Sequence, residues 1–264
     1  MKKFLVIGNP IQHSLSPKLH NYWIKKNNIN AIYDKKEINE KDISSVISDV
    51  KNEKIHGINV TVPFKKSVIP FMDKLSPESA QSQSVNTIYF ENGKLVGHNT
   101  DISGFELGIK YSVYDVKNKV VFILGSGGVV SSIIIALKKM GAKKIIITNR
   151  TKSKAINLKN VFKELEIIEW GETPNFDMII NATSIGLKNE DGIKLDYSLI
   201  EPNKFFYDVI YNPKETIFLK RAKLFGNRAE NGKMMFIYQA HQSFTIWHKL
   251  MPEINEEVIN LLDK

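Results

Sequence analysis

Apolar runs of strand length alternate with amphipathic segments along the chain, and this alternation predicts an α/β protein. In the first part, strands are predicted at 4–8, 31–38, 55–62, 85–90 and 94–98. Helices are predicted from Ser16-Pro17 to about Asn27, at 42–50, directly after Pro63 and after Ser76-Pro77. Ser16 is expected to be an N-cap with Pro17 at the first helical position, and Asn92-Gly93 to turn a hairpin.

A second strand–helix series begins near residue 119. Its strands are predicted at 120–124, 144–148, 166–169, 178–181 and 205–210, and its helices at 129–140, 153–164 and 213–225. A helix at 102–111 joins the two series, and two further helices follow at 234–249 and 252–262. If these last helices pack back on the first series, the domains are 1–101 plus 234–264, with a mixed sheet, and 102–233, which is Rossmann-like. A cleft is expected between them.

Length and composition exclude several classes of protein. The chain has 264 residues, which fits two domains, and no cysteine, which excludes disulfides, a thiolate nucleophile and cysteine-ligated metals. The six histidines show no metal-binding spacing, so no metal is expected. The longest apolar runs are far shorter than the ~18 residues of a membrane helix, and the N-terminal apolar run ends too early for a signal peptide. We therefore expect a cytoplasmic protein without membrane contacts.

The formal net charge of +9 raises the question of an acidic partner. The lysines occur as scattered pairs rather than in one block, and no aromatic residues are interleaved with them. Nucleic-acid binding is therefore not expected, whereas attraction of small anions stays open.

A glycine-rich segment, Gly125–Val130, follows an apolar strand and precedes a helix, as in dinucleotide-binding proteins. Gly125 permits a tight turn, and Gly127 lets backbone amides approach a pyrophosphate at the helix N-terminus. Val130 stands where the fingerprint has Gly or Ala, which is expected to loosen the packing of helix on strand. A purely structural turn is the alternative interpretation.

The next strand is followed by Asn149-Arg150-Thr151-Lys152-Ser153-Lys154. An NAD site usually has an acidic residue about 20 residues after the glycine loop, on the ribose 2′-hydroxyl. Here a guanidinium, hydroxyls and ammonium groups replace the acid, and Arg150 can pair with a 2′-phosphate. The segment therefore favours NADP(H) over NAD; the alternative is a helix start with solvated lysines.

Three N-terminal segments carry polar side chains suited to a binding site. Ser14 and Ser16 can offer two hydroxyls to a carboxylate near a helix N-terminus, although Ser16 can be only an N-cap. On the strand ending at Pro63, Asn59 and Thr61 face one side, and Lys65 is placed in the first turn of the next helix. Asn86 and Asp101 start a strand and a helix, where an N-cap role would explain Asp101.

Together these motifs resemble the shikimate dehydrogenase family, in order along nearly the whole chain. The matching segments are Gly8–Pro17, Asn59–Lys65, Gly97–Asp101, Gly125–Gly128, Asn149–Thr151, Asn181–Gly186, Asp208–Thr216 and Asn231-Gly232 with Met235 and Gln239-Ala240. The departures are Ile102, where the family commonly has glycine, and Val129-Val130 after the glycine loop.

The resemblance implies reversible NADPH-dependent reduction of 3-dehydroshikimate to shikimate, a step of aromatic amino-acid biosynthesis, by a monomer or homodimer. It implies that Lys65 and Asp101 form the catalytic pair and also contact the substrate. The other implied substrate residues are Ser14 and Ser16 on the carboxylate, Tyr211 near it, and Asn59, Thr61, Asn86 and Gln239 on ring hydroxyls. The implied cofactor residues are Gly125, Ser126, Gly127, Gly128, Val129, Asn149, Arg150, Thr151, Lys154, Thr183, Ile210 and Gly232.

An alkoxide formed by hydride transfer to a ketone needs a proton donor and a nearby positive charge. A lysine paired with an aspartate supplies both, and the division of the proton between them stays open. Two alternatives also stay open: a quinate/shikimate dehydrogenase that uses NAD, and a catalytically silent NADP-binding sensor of the same fold.

Overall fold

The computed structural model describes residues 1–188 and 192–263. The chain divides into two compact units. The N-terminal unit consists of Met1–Gly104 and the chain from Ile237 onward, and the central unit is Phe105–Phe236. Within the described residues, no helix is long and apolar enough to cross a membrane.

The elements alternate between strand and helix, as the apolar pattern predicts. The strands are β1 Lys2–Gly8, β2 Ala31–Glu37, β3 Gly57–Val60, β4 Lys74–Leu75, β5 Thr87–Glu91, β6 Lys94–His98, β7 Val120–Leu124, β8 Lys144–Thr148, β9 Glu166–Ile167, β10 Met178–Asn181, β11 Phe205–Asp208 and β12 Arg228–Asn231. The α-helices are α1 Ser16–Lys26, α2 Ile43–Lys51, α3 Pro77–Ser82, α4 Asp101–Tyr111, α5 Val130–Lys139, α6 Lys152–Val161, α7 Ile217–Leu224, α8 Lys233–His248 and α9 Glu256–Leu261. Short 3-10 helices occur at Glu40–Asp42, Ile69–Phe71 and Tyr197–Leu199.

The N-terminal unit contains a mixed sheet with the strand order β2-β1-β3-β5-β6-β4. β1 is parallel to β2 and β3, whereas β5 is antiparallel to both β3 and β6. Asn92 and Gly93 turn the β5–β6 hairpin with φ angles of +52° and +75°, as a tight hairpin requires. Because β1, β3 and β6 all run in the same direction, the loops that follow them leave the sheet at one edge.

One face of this sheet is covered by α2. Ile43, Val46, Ile47 and Val50 recur at helical spacing and are buried against apolar side chains of the strands. Burial of this amphipathic face in a common core holds α2 and the sheet together.

The central unit contains a parallel sheet with the order β12-β11-β10-β7-β8-β9. When β7 is counted as the first strand and the sheet is read from β9 to β12, this is the order 3-2-1-4-5-6 of the Rossmann fold. The predicted fold class is therefore confirmed. The chain reverses direction across the sheet between β7 and β10, which are neighbours. Ligands of such sheets bind at the carboxyl ends of the strands at this point.

Several predicted elements are wrong in part. The segment after Pro63 forms turns and a 3-10 helix rather than an α-helix. The main-chain oxygen of Lys65 accepts from the N–H of Val85, so it is not used in an α-helical bond. The helix predicted at 213–225 begins only at Ile217, where the Thr216 side chain accepts from Leu219 as an N-cap. Strand β12 was missed because its sequence, Arg-Ala-Glu-Asn, is polar, as an edge strand can be.

Candidate functional site

A buried ammonium–carboxylate pair is the central feature of the N-terminal unit. Nζ of Lys65 donates to Oδ2 of Asp101 at 2.5 Å, and the two side chains are only 10% and 7% exposed. Taking two charges out of water costs free energy that their attraction scarcely exceeds, so such a pair adds little stability. Its presence is better explained by chemistry that needs both charges.

The order of the strands explains why these two residues meet. Lys65 lies in the turns after β3, and Asp101 opens α4 directly after β6. β3 and β6 run in the same direction on either side of β5, so both loops leave the same edge of the sheet. The N–H of Asp101 also donates to Oδ1 of Asn99 at 2.9 Å, which fixes the start of the helix.

Asn86 precedes β5 at the same edge and is bonded to Asp101. Its Nδ2 donates to Oδ1 of Asp101 at 3.0 Å and to Oγ1 of Thr100 at 2.9 Å. Its Oδ1 accepts from the N–H of Thr100 at 2.8 Å and from Oγ1 of Thr87 at 3.0 Å. All four hydrogen-bonding positions of the amide are therefore used within the unit, and this side chain supports the Asp101 carboxylate.

Asn59 on β3 belongs to the same network. Its Nδ2 donates to the main-chain oxygen of Asn86 at 3.1 Å and to Oγ1 of Thr87 at 3.2 Å. Its Oδ1 accepts from the hydroxyl of Tyr33 at 2.7 Å. Both amide protons are used, so Asn59 can only accept one further hydrogen bond, through Oδ1. It therefore suits a hydroxyl that donates.

Three other predicted substrate residues of this unit lie in segments that follow β1 or β3, the strands whose ends form the same edge of the sheet. Thr61 follows β3, and Ser14 and Ser16 follow β1. The N-cap prediction for Ser16 is wrong: it is the first residue of α1, and the N-cap is Leu15 without a side-chain bond. Instead, Oγ of Ser14 accepts from the N–H of Ser16 at 3.3 Å. Gln239 lies on α8 and is partly buried.

The glycine loop of the central unit lies at the carboxyl end of β7. Gly125 has φ +106°, and an added Cβ would lie 2.8 Å from the main-chain oxygen of Ala182, so only glycine fits. At Gly127 the nearest atom to an added Cβ is 3.8 Å away, so the fold itself does not require a glycine there. Val130 is fully buried, so the predicted loosening of the packing is not observed.

The loop after β10 lies against the glycine loop and is held by a carboxylate. Asn181 accepts at Oδ1 from the main-chain N–H and the hydroxyl of Thr183, and its Nδ2 donates to Oδ1 of Asp208 at 3.1 Å. Asp208 also accepts from the N–H of Ile210 and, at 2.7 Å, from the hydroxyl of Thr216. Burial raises the pKa of Asp208 to about 6, and these three donors oppose the rise.

This network gives a structural role to Asn181 and Asp208, two motif residues for which the sequence analysis gave none. Asn181 and Asp208 belong to two motifs of the resemblance, but their bonding fixes Thr183 and Ile210 rather than offering groups to a ligand.

Gly232 follows β12, where an added Cβ would collide with the main-chain oxygen of Val209. Tyr211 stacks on Phe236 with ring centroids 4.3 Å apart. The signal for Asp208 in the sequence was a single acid ending an apolar strand.

The residues predicted to contact a 2′-phosphate follow β8. Asn149 is half-buried and its Nδ2 donates to the main-chain oxygen of Thr151 at 2.8 Å, whereas Arg150, Thr151 and Lys154 are exposed. Lys152 in the same segment forms an ion pair with Glu169. The exposed guanidinium and ammonium groups are available to an anionic ligand.

The described residues of the central unit fit a dinucleotide. Oγ of Ser126, in the glycine loop, is buried and has no hydrogen-bond partner. A buried hydroxyl without a partner is costly, and a ligand that accepts or donates there removes the cost. Gly127 is exposed beside it, so phosphate oxygens can approach the backbone.

Among the described residues, no group of three or more acidic or histidine side chains is arranged to hold a metal ion.

A Rossmann sheet with a glycine loop at its switch point, and a mixed-sheet unit with a buried lysine–aspartate pair, define a dinucleotide-dependent α/β oxidoreductase. Comparison with known proteins gives the family. Residues 6–88 match the shikimate dehydrogenase substrate binding domain, and residues 109–187 match the shikimate / quinate 5-dehydrogenase family. The chain belongs to the shikimate dehydrogenase family.

Relatives with this description cover the whole chain. Shikimate dehydrogenase (NADP(+)) of Pelagibacter ubique is 63% identical over 99% of both chains. The crystal structure of shikimate dehydrogenase from Aquifex aeolicus has a TM-score of 0.91 at 38% identity, with 100% of this chain and 98% of that chain covered. The Thermus thermophilus enzyme, solved in complex with NADP(H) and shikimate, has a TM-score of 0.90 at 27% identity. The match covers 100% of this chain and 99% of that chain.

Proposed function

We propose that the chain catalyses the reversible NADPH-dependent reduction of 3-dehydroshikimate to shikimate, with Lys65 and Asp101 as the acid–base pair. The observation that carries the proposal is the buried contact of 2.5 Å between these two side chains in a chain of this family. The names and ligands of the relatives support the substrate and the cofactor.

The two parts of the chain take different tasks in this proposal. Residues 1–101 plus 234–264 bind and convert the substrate, which the match of residues 6–88 to a substrate binding domain supports. Residues 102–233 bind NADP(H), which the strand order of the central sheet supports. The compact units change at Gly104 and Ile237, a few residues from these boundaries and within α4 and α8.

In this proposal Lys65 supplies the proton. The nicotinamide, when bound, supplies the hydride to the ketone and accepts it in the reverse direction. The Lys65 ammonium stabilises the negative charge that develops on the ketone oxygen and donates a proton to it. Asp101 holds the ammonium by accepting one of its three N–H groups, which leaves the other two for the substrate. In the reverse direction, the pair removes the hydroxyl proton.

The remaining polar residues recognise a small polyhydroxylated anion. Ser14 and Ser16 bind its carboxylate, and the dipole of α1 favours an anion near the N-terminus of that helix. A contact of Tyr211 with the carboxylate stays a prediction. The ring hydroxyls are bound by Asn59, Thr61, Asn86 and Gln239; of these, Asn59 offers an acceptor, and Asn86 must release one of its present bonds to contact a ligand.

NADP(H) is preferred over NAD because of the segment after β8. Arg150 faces solvent on a stretch without an acidic residue, so it can pair with a 2′-phosphate that a carboxylate would repel. Thr151, Asn149 and Lys154 assist it. The pyrophosphate is held by the backbone of Gly125, Ser126, Gly127, Gly128 and Val129, and Thr183, Ile210 and Gly232 line the cofactor beyond it.

Initial rates with shikimate and quinate, each with NADP+ and with NAD+, test the proposal. The expected result is turnover of shikimate with NADP+ at a kcat/KM at least tenfold above the three other pairs. A preference for quinate with NAD+ would favour the alternative dehydrogenase. NADP+ binding without any turnover would favour a silent sensor. A cytoplasmic location and a monomeric or homodimeric state stay predictions, the second of which light scattering of the purified protein would test.

A further inference from the structure

We propose that Thr87 is a positioning residue for the catalytic pair, because its hydroxyl joins the side-chain amides of Asn59 and Asn86 and so helps to hold Asn86 beside Asp101. The inference rests on the proposed function, since it concerns how the polar network prepares Lys65 and Asp101 for that reaction.

Thr87 lies where the two asparagines can be joined. It is the first residue of β5 and is directly opposite Asn59 in the register of β3 and β5. Its side chain is fully buried. Its Oγ1 accepts from Nδ2 of Asn59 at 3.2 Å and donates to Oδ1 of Asn86 at 3.0 Å. One hydroxyl therefore links the amide side chain of Asn59 on β3 to that of Asn86, which directly precedes β5.

The backbone fixes the direction of these bonds. Nδ2 of Asn59 also faces the main-chain oxygen of Asn86, which can only accept, so the amide nitrogen must lie on that side. Oδ1 of Asn86 faces the N–H of Thr100, which can only donate, so the amide oxygen must lie there. The hydroxyl proton of Thr87 is left with one partner, Oδ1 of Asn86.

This one-directional chain ends on the catalytic carboxylate. With its oxygen held by Thr87 and Thr100, Asn86 presents Nδ2 to Oδ1 of Asp101 at 3.0 Å. Lys65 occupies the other carboxylate oxygen. Without the Thr87 hydroxyl, Oδ1 of Asn86 keeps only its bonds from Thr100, so the amide is held less firmly beside the Asp101 carboxylate. The hydroxyl of Thr87 thus supports the position of Asp101 through Asn86, whose amide direction is set by the N–H of Thr100.

Three variants of Thr87 test the proposal, with one control on the same strand. Thr87→Val replaces the hydroxyl with a methyl group of similar size, and Thr87→Ala removes it without placing a methyl group against the two amides. Thr87→Ser keeps the hydroxyl. Ile88→Val weakens the packing of β5 from its apolar face without removing a hydrogen bond, because Ile88 belongs to the core on the opposite face.

The expected result is a split among kinetic constants. In Thr87→Val and Thr87→Ala, kcat for shikimate oxidation falls about 10- to 100-fold and the KM for shikimate rises, because a bond that orients a charged group is lost. The KM for NADP+ stays within about twofold, and Thr87→Ser restores kcat. Ile88→Val, compared at a matched distance below its melting temperature, keeps wild-type kinetics.

Other outcomes overturn the proposal. If the folded Thr87→Val or Thr87→Ala protein has wild-type kcat and KM for shikimate, Thr87 does not position the pair. If Thr87→Ser is as impaired as Thr87→Ala, or Ile88→Val loses as much kcat, the residue acts only through packing. Absence of wild-type turnover in the same assay overturns the proposed function and this inference with it, whereas wild-type turnover with unaffected variants overturns only the role of Thr87.

Discussion

The ammonium nitrogen of Lys65 lies 2.5 Å from a carboxylate oxygen of Asp101, although 36 positions separate the two residues along the chain. β3 and β6 deliver them to the same edge of a mixed sheet, with β5 between these strands. Asn86, directly before β5, donates from Nδ2 to the other carboxylate oxygen of Asp101. The pair is thus a product of strand order, and its chemistry can be tested by removing each charge.

Replacement of Lys65 should abolish most of the turnover. Lys65→Ala is expected to lower kcat about 10²- to 10⁴-fold, the usual effect of losing an acid–base group, with little change in the Kd for NADP+. The measurement is initial-rate kinetics together with fluorescence titration of the cofactor. Wild-type kcat in Lys65→Ala would refute the role given to this lysine.

The same substitution should destabilise the protein, which calls for a control. Removing one partner of a buried pair leaves the other charge uncompensated and costs about 3–5 kcal/mol. The double variant Lys65→Met with Asp101→Asn removes both charges. It should unfold at a higher urea concentration than Lys65→Ala and yet remain inactive, which separates the loss of chemistry from the loss of stability.

Arg150 should determine the choice between the two nicotinamide cofactors. Arg150→Ala is expected to raise the KM for NADPH by about tenfold or more, the loss of a charge-assisted bond, and to leave the KM for NADH nearly unchanged. Because Arg150 is exposed, stability should change by less than about 0.5 kcal/mol. Lys159→Ala, an exposed cation on α6, is the control. Equal weakening of both cofactors would exclude contact with the 2′-phosphate.

Two glycines of one loop should respond differently to alanine. Gly125→Ala is expected to lower the melting temperature, because φ is +106° and the new Cβ would meet the Ala182 oxygen at 2.8 Å. Gly127→Ala should melt like the wild type, since its Cβ has no neighbour closer than 3.8 Å, but should bind NADP+ at least tenfold more weakly. Thermal unfolding and calorimetric titration measure both effects. Wild-type affinity in Gly127→Ala would show that the pyrophosphate does not approach this backbone.

The buried imidazole of His20 should make stability depend on pH. Burial lowers the pKa of His20 to about 3, and its ring stacks on Tyr33 at 4.1 Å with neither nitrogen bonded. The unfolded chain therefore binds a proton below about pH 6.5 that the folded chain excludes until about pH 3. The contribution of His20 to the free energy of unfolding should therefore be complete above about pH 6.5. Below that pH the free energy of unfolding should fall by about 1.4 kcal/mol per pH unit.

Urea unfolding at pH 7.5, 6.0 and 5.0 measures this slope. His20→Phe keeps the stacked ring. In this variant the slope of the free energy of unfolding against pH should be smaller by about 1.4 kcal/mol per pH unit, the contribution of one proton. Burial also lowers the pKa of His248, to about 4, so part of the slope should persist in the variant. An unchanged slope in His20→Phe would show that His20 is accessible to protons in the folded state.

The sequence predicted elements best where burial and periodicity agree. The run Val120–Leu124 is apolar throughout and forms β7 with the predicted bounds. β12 is polar and was missed, because an edge strand is defined by backbone pairing with β11 rather than by burial. The helix expected after Pro63 does not form, because the carbonyl of Lys65 bonds to Val85, a residue distant in the chain. Pairing partners of this kind leave no periodic signal.

By itself, the sequence determined the α/β class, the glycine loop, the absence of cysteine chemistry and the residue types available for catalysis, since these follow from local pattern and composition. Only the tertiary structure decided that Lys65 and Asp101 are in contact, that Thr87 joins Asn59 to Asn86, and that Asp208 fixes the loops after β10 and β11. Each of these relationships joins segments distant in the chain. Hydrogen bonds between such segments depend on strand order and register, which the fold sets through packing of the whole sheet.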